Sequence, residues 1–455
     1  MFVEKIVSEG LAHNSYIVGD YTEALVVDPK RDVDSYIDVA DSKCCRIRFV
    51  FETHRNEDYL IGSRELEHLT GCRIIHGGHL DFGYGEPARE GDIFNIGRLM
   101  LKVLETPGHT PESLSYLLYP PSKEDIPWVV FTGDALFYGD VGRTDLRGEE
   151  MKSELASTLY DSLHEKLMPL GEHTIVYPAH GAGSSCGGNI SDLAVSTIGY
   201  ERATNPMLSL SREEFIEKKK MENIPIPLYF KMMHEQNQRG PALINIKRAE
   251  PMDAFMFAEA IPDCITIDTR SPLSFASGHI KGSYNIWMEG MAKFPGWILE
   301  YEKDILLITE RQEDVETARR YLARIGFDDI RGSLCKGIED WQNRGMPLEQ
   351  SGVYTVADLY ERLKERKDMF LLDVREKGEY ASGHIPGAIN IYVGELERRL
   401  QEVPSVQPIV SICSAGNRSG LAASILKRRG YRQVYNLIGG TTAWKEKSYP
   451  TEKQE

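Results

Sequence analysis

The sequence predicts a multidomain protein of α/β and α+β type, and three observations predict it. The chain has 455 residues, more than a single hydrophobic core organises. Its C-terminal half repeats itself at a domain-sized interval, unlike the short period of a solenoid: IDTRSPLSFASGHIKGSYNI at 267–286 matches LDVREKGEYASGHIPGAINI at 372–391. Its N-terminal half alternates short apolar strands with helical stretches.

The N-terminal domain is expected over 1–245. Its strands are read at ALVVD, IRFVFET, LMLKVLET, PWVVFTGD and HTIVYPA, and LIGSRELEHLTG reads as a helix with Gly71 at its C-cap. Residues 206–245, with Pro225, Pro227 and Pro241, read as a helical appendage and linker without a motif. The repeat then places two tandem α/β domains near 250–348 and 353–455. In each, a strand leads into a helix that ends at Gly326 or Gly430, and the copy closes near Trp341 or Trp444.

Composition excludes several functions. A net charge of −16 argues against nucleic acid, which needs a basic footprint. No apolar run approaches the ~20 residues of a membrane span, so no membrane partner is expected. The start of the chain has neither a basic n-region nor a small-residue cleavage site, so a cytoplasmic location is expected. The cysteines, Cys44, Cys45, Cys72, Cys186, Cys264, Cys335 and Cys413, are odd in number and form no C-x-x-C pair. A disulfide framework or structural zinc knuckle is therefore not expected, and most should be buried thiols. A homo-oligomer is expected on base rate alone.

In IVSICSAGNRS (409–419) an apolar strand delivers Cys413 into a loop of small residues, Ser414, Ala415, Gly416 and Asn417, closed by Arg418. The helix expected from about Ser419 points its free amides at the sulfur, where they favour a thiolate or persulfide anion. Arg418 adds a guanidinium fork. These are the parts of a sulfur shuttle, in which Cys413 accepts sulfane sulfur and passes it on. DVRE, GHIPGA, C-x₄-R-S and Gly439-Gly440-x₃-Trp444 occur in the order found in rhodaneses, which this domain resembles. In the first copy Thr309 stands at the position of Cys413 and Asp314 at that of Arg418, so that copy is expected to be a silent scaffold or docking surface.

In the N-terminal half, His54, His109, Asp134 and His180 each stand just past an apolar strand. In a layered α/β protein such positions gather at one sheet edge, and four polar groups there suggest a metal site. THRNEDY (53–59), TPGHT (106–110), FTGDAL (131–136) and YPAHG (177–181) resemble the metallo-β-lactamase fold, an αββα sandwich with a T-H-x-H-x-D-H signature. His54 and Asp58 fit it. Asn56 and Tyr59 stand where that family has histidines, which disfavours a dinuclear zinc hydrolase.

His54, His109 and Asp134 remain, a two-histidine, one-carboxylate set of the kind that holds mononuclear Fe(II), with zinc able to occupy it on purification. Persulfide dioxygenases, a branch of this fold, use such a triad, and the whole chain resembles their fusions with rhodaneses. The resemblance implies oxidation of a low-molecular-weight thiol persulfide by O₂ to sulfite, with Cys413 transferring sulfur among persulfide, sulfite and thiosulfate. It makes Arg143, in GDVGRTDL, a candidate holder of the substrate's carboxylate or developing sulfinate, and puts Cys186, in HGAGSSCG, near the site. Asp58 and His180 are expected to orient ligands or water around the metal, and Asn56 is the departure that bears most on activity. His68, His76, His79, His164 and His173 are read as surface or loop residues, and Asp28 as a structural turn residue. Competing readings are a thioester hydrolase fused to the sulfurtransferase, and a sulfur-delivery protein in which only Cys413 reacts.

Overall fold

The structure, a computed structural model, describes residues 1–123, 125–244 and 249–454. The boundary expected at 245 lies outside the described residues. The chain divides into two compact units, Met1–Ile244 with Ala323–Gly326, and Asn245–Leu322 with Phe327–Glu455.

Among the described residues, the first unit holds two six-stranded sheets. One runs β1 (Phe2–Ser8), β2 (His13–Asp20), β3 (Glu23–Val27), β4 (Arg46–Phe51), β5 (Arg73–Gly77), β6 (Glu86–Ala88) in spatial order. The other contains β7 (Ile93–Ile96), β8 (Leu99–Glu105), β9 (Leu114–Tyr119), β10 (Val129–Gly133), β11 (Ile175–Pro178) and β12 (Ser196–Thr197), with β12 and β7 at its edges. Alternation along the strands explains the layering, because successive side chains point to opposite faces. In β8, Leu99, Leu101 and Val103 enter the core between the sheets, where they meet Tyr16, Val18, Phe49 and Phe51 of the other sheet. Met100 and Leu104 face outward onto Ala156, Leu159 and Leu163. Ile17 and Val50 face the opposite way, onto Tyr36 and Leu66 of the helices Asp34–Ser42 and Ser63–Thr70. Helix, sheet, sheet and helix thus stack as expected, and Gly71 caps the second helix in the left-handed region at φ 68°.

Among the described residues, the second unit contains two five-stranded parallel sheets. The first runs β13 (Glu250–Met252), β17 (Ile330–Leu334), β16 (Ile305–Ile308), β14 (Ile265–Asp268), β15 (Tyr284–Asn285). The second runs β18 (Gly352–Tyr354), β22 (Val434–Leu437), β21 (Ile409–Ile412), β19 (Phe370–Asp373), β20 (Ile389–Asn390). The repeat is equally visible in side chains. Trp341 Nε1 donates to the Pro347 carbonyl at 2.9 Å, and Trp444 Nε1 to the Pro450 carbonyl at 2.8 Å. Arg270 and Arg375 each fork onto an aspartate two residues back, Asp268 and Asp373. Burial on both faces explains why these strands read as continuous apolar runs. Among the described residues no helix is long and apolar enough to cross a membrane, and the cysteines are all free thiols.

Candidate functional site

The residues after the strand ends converge, although not at one sheet edge as expected: β4 belongs to one sheet and β8, β10 and β11 to the other, so the site forms where both layers end together. Asp28, at φ 48°, accepts hydrogen bonds from the Thr53 amide at 2.8 Å and its hydroxyl at 2.7 Å. With that hydroxyl proton committed, Thr53 Oγ1 accepts from His54 Nδ1 at 2.9 Å. Gly133 allows β10 to approach this turn: its φ is 53°, and a Cβ there would lie 2.6 Å from Thr53 Oγ1. His109 Nδ1 lies 2.9 Å from the Arg143 carbonyl oxygen, which can only accept. Both imidazoles therefore carry their proton on Nδ1 and present Nε2 inward.

Asp134 Oδ2 lies 3.4 Å from His109 Nε2 and 3.7 Å from His54 Nε2. The ligand atoms of His54, His109 and Asp134 all fall within 4.8 Å of one another, and all three residues are buried. Buried polar atoms almost always have a partner, yet His54 Nε2 and His109 Nε2 have none. Two inward lone pairs facing a carboxylate are the donor set a divalent cation completes, so the residues present fit a metal.

A second group adjoins it. Asp58, His180 and Cys186 also bring ligand atoms within 4.8 Å of one another. His180 joins the two groups, with Nδ1 2.8 Å from Asp134 Oδ1 and Nε2 3.1 Å from Asp58 Oδ2. Burial opposes a charge on His180, but Asp134, Cys186 and Asp58 outweigh it and raise its pKa well above the usual value. Burial would raise the Asp134 pKa, but His180, with His54 and His109, outweighs it and holds Asp134 far below the usual carboxylate range. Burial pushes the Cys186 thiol up.

Tyr59 fills its position with a buried ring whose hydroxyl lies 2.8 Å from His13 Nε2, with ring centroids 4.1 Å apart. The Asn56 amide donates to the His54 carbonyl at 3.3 Å and keeps its buried Oδ1 without a partner. Arg143 is differently placed from the expectation. Its buried guanidinium is committed to Asp145 at 2.6 and 2.8 Å and to the carbonyls of Ser185 and Ile224 at 2.9 and 2.8 Å. The expected grip on a substrate anion is thus not met in this structure, because those donors are already taken. What Arg143 brings to the site is the carbonyl that orients His109. His76, read as a surface or loop residue, is a buried strand residue held by the Tyr84 carbonyl at 2.7 Å.

Several residues escaped the sequence reading. Glu57 is buried, with Oε2 3.7 Å from His109 Nε2 and Oε1 3.0 Å from His234 Nε2. Burial would raise its pKa, but the neighbouring His109 and His234 outweigh it and keep it ionised far below the usual range. His234 lies on the helix Phe230–Arg239, inside the appendage that showed no motif. The same helix face also carries Asn237, whose Nδ2 donates to the carbonyls of Asn56 at 2.7 Å and Tyr59 at 2.8 Å. Asn237 Oδ1 accepts from the Ile61 amide at 3.0 Å. The only signal available was an Asn and a His three positions apart, hence on one helical face.

In the last domain, the Cys413 sulfur is buried and accepts from the Gly416 amide at 3.0 Å and the Ser419 hydroxyl at 3.2 Å. The helix begins at Asn417, two residues before the expected start, so Arg418 belongs to its first turn rather than to the loop. Gly416 at φ 120° and Gly440 at φ 52° let the backbone wrap this closely, and a Cβ on Gly440 would lie 2.1 Å from the Cys413 carbonyl oxygen. Ser414 and Ala415 span the turn. Arg418 forks onto Glu379 at 2.6 and 2.8 Å, and the Ser414 hydroxyl donates to the same carboxylate at 3.0 Å. Glu379, absent from the sequence reading, is half-buried, which opposes ionisation. Arg418 prevails and holds its pKa at about 2.

In the first copy the corresponding loop has no thiol. Thr309 Oγ1 donates to the Arg311 carbonyl at 2.8 Å, and Asp314 pairs with Arg311 at 2.8 Å.

The metallo-beta-lactamase superfamily matches residues 9–180, and the rhodanese-like domain family matches residues 256–344 and 355–447. The mitochondrial persulfide dioxygenase of Mus musculus is 33% identical over 225 residues, 47% of this chain and 77% of that protein. A putative sulfur carrier protein of Bacillus subtilis (strain 168) is 36% identical over 133 residues, 29% of this chain and 70% of that protein. Among solved structures, a metallo-beta-lactamase from Staphylococcus aureus subsp. aureus COL superimposes with a TM-score of 0.66 at 33% identity, covering 74% of this chain and 98% of that one.

Proposed function

Since the chain belongs to the metallo-beta-lactamase superfamily, with a domain related to persulfide dioxygenases followed by two rhodanese-like domains, we propose a bifunctional sulfur-metabolism enzyme. Its first activity is O₂-dependent oxidation of a low-molecular-weight thiol persulfide to sulfite and free thiol. One O₂ and one water supply the three oxygens of sulfite, and the oxidation of the sulfane sulfur matches the reduction of O₂. Its second is sulfur transfer through Cys413 among persulfide, sulfite and thiosulfate.

One observation carries the first reading: the two partnerless Nε2 atoms and Asp134 form one set, while Tyr59, standing where the family has a second-metal histidine, pairs instead with His13. A mononuclear Fe(II) held there would bring O₂ and persulfide sulfur together and pass electrons between them. His54, His109 and Asp134 would hold it, and the Thr53–Asp28 and Arg143 contacts would fix their orientation. Glu57 Oε2, partnerless beside His109, keeps a second negative charge at the site, with His234 behind it toward solvent. For the second reading, Gly416 and Ser419 would hold the charge on the Cys413 sulfur or its persulfide.

The hydrolase reading has one observation in its favour, the adjoining Asp58, His180 and Cys186 group. Metal analysis separates the readings, as about one iron, two zincs or none. The test of the lead is oxygen consumption by anaerobically iron-loaded protein on adding glutathione or coenzyme A persulfide. Uptake with sulfite appearing is the expected result. No uptake with iron bound and Cys413 reactive would leave the protein a sulfurtransferase and sink the dioxygenase reading.

A further inference from the structure

We propose that Glu379 decides which donors load Cys413: by offsetting the charge of Arg418, it selects thiol persulfides over thiosulfate. This rests on the sulfurtransferase reading above and narrows its substrates.

Arg418 is the cation placed to receive an anionic donor, since the domain's other motif arginine, Arg375, gives its donors to Asp373 and the Gly383 carbonyl. Arg418 is not available as a bare charge. Its two terminal nitrogens face the two Glu379 oxygens, a fork-to-fork geometry that is the strongest form of this pair. Ser414 Oγ, on the Cys413 loop itself, bonds to both partners, at 2.9 Å to Arg418 and 3.0 Å to Glu379, so the pair is built into the loop. Glu376, Glu379 and Glu395 lie near the buried Tyr392 hydroxyl together with Arg418, and Glu395 is paired with Arg399 at 3.3 Å. The pair belongs to the reactive copy alone, because the silent copy has Ser274 and Asp314 at these positions.

The chemistry makes the charge matter. With a persulfide, the Cys413 thiolate attacks the outer sulfur of R–S–SH. A new S–S bond forms at Cys413, the old one breaks, and R–S⁻ leaves with the electron pair and takes a proton from solvent. The sulfane sulfur keeps its oxidation state, and no other reactant is needed. With thiosulfate the same attack expels sulfite, so two negative charges must enter and leave past Glu379. By microscopic reversibility the pair also slows sulfite as an acceptor relative to a thiol.

The experiment loads reduced full-length protein under anaerobic conditions, where the metal domain has no O₂ to use. The donors are thiosulfate and the persulfide of 2-mercaptoethanol, whose carrier is uncharged. Persulfide on Cys413 is followed by mass spectrometry against donor concentration. The wild type is expected to load faster from the persulfide, and thiosulfate loading should accelerate with rising ionic strength. Glu379→Gln should raise the thiosulfate-to-persulfide ratio of second-order rates about tenfold or more, through half-saturation for thiosulfate rather than the maximal rate. A wild type that prefers thiosulfate, or an unchanged ratio in Glu379→Gln, overturns the proposal. Should that variant not fold, thiosulfate loading of the wild type that slows with salt would overturn it equally, since it would show Arg418 uncompensated. Loading of Cys413 by neither donor would instead sink the sulfurtransferase reading.

Discussion

Replacing Asn237 by Ala tests whether the motif-free appendage is part of the metal site. The side chain is buried and makes three hydrogen bonds, two to the carbonyls of Asn56 and Tyr59 and one from the Ile61 amide. They tie down residues 56–61 of the loop that also carries His54. Each is worth about 1 kcal/mol net, and truncation leaves three backbone groups to find water, so a loss of about 3 kcal/mol is expected. For a unit of this size about 2–4 °C of Tm accompanies each kcal/mol, so its unfolding should move down by roughly 6–12 °C. A loosened loop should also weaken iron binding roughly tenfold, the scale of a lost outer contact on a metal ligand. Calorimetry on the full chain reads the first quantity, and anaerobic Fe(II) titration the second. A shift below about 2 °C with unchanged iron affinity would refute the reasoning and make the helix Phe230–Arg239 a bystander.

The remaining predictions concern separation of the two activities, metal number and acid stability. His109→Ala should abolish persulfide-dependent O₂ uptake while Cys413 still loads, and Cys413→Ser should do the reverse; one substitution that removes both from a folded protein defeats the two-site account. Tyr59→His removes the phenol paired with His13 and restores an imidazole at the second metal position, so bound zinc should rise from about one toward two per chain. An unchanged ratio by elemental analysis would mean that Tyr59 is not what limits metal number. Glu379 falls from its ordinary 4.5 to about 2 because Arg418 outweighs burial. A depressed carboxylate stabilises the fold above its unfolded pKa, so this contribution is complete above pH 4.5 and disappears as pH falls to about 2. The acid-unfolding curve of Glu379→Gln should be flatter across that interval, and identical slopes would count against the pairing.

Much of both sites was legible because it is local. His54, His109, Asp134 and His180 were found from strand ends, since an apolar strand delivers whatever follows it to the rim of its layer. Cys413 was found for the same reason, helped by small residues that permit a tight loop. What stayed hidden are pairings between distant segments. Asn237 and the Asn56 carbonyl are 181 positions apart, and Tyr59 and His13 are 46 apart. Arg143 looked free for a substrate because nothing local announces that Ile224, 81 positions on, takes its donors.

The sequence by itself determined the layered domains, the repeat, the replacement of the thiol and arginine by Thr309 and Asp314 in the first copy, and the identity of the donor atoms available to a metal or to sulfur. These follow from periodicity, strand ends and side-chain chemistry, which a linear chain displays. Only the tertiary structure decided which of those groups remain available. Tyr59 is held by His13, Arg143 by Asp145 and distant carbonyls, and Arg418 by Glu379, while His54 Nε2, His109 Nε2 and Glu57 Oε2 keep open lone pairs. The reason is physical: a buried polar group takes the nearest complementary partner that packing supplies, and packing brings that partner from anywhere in the chain.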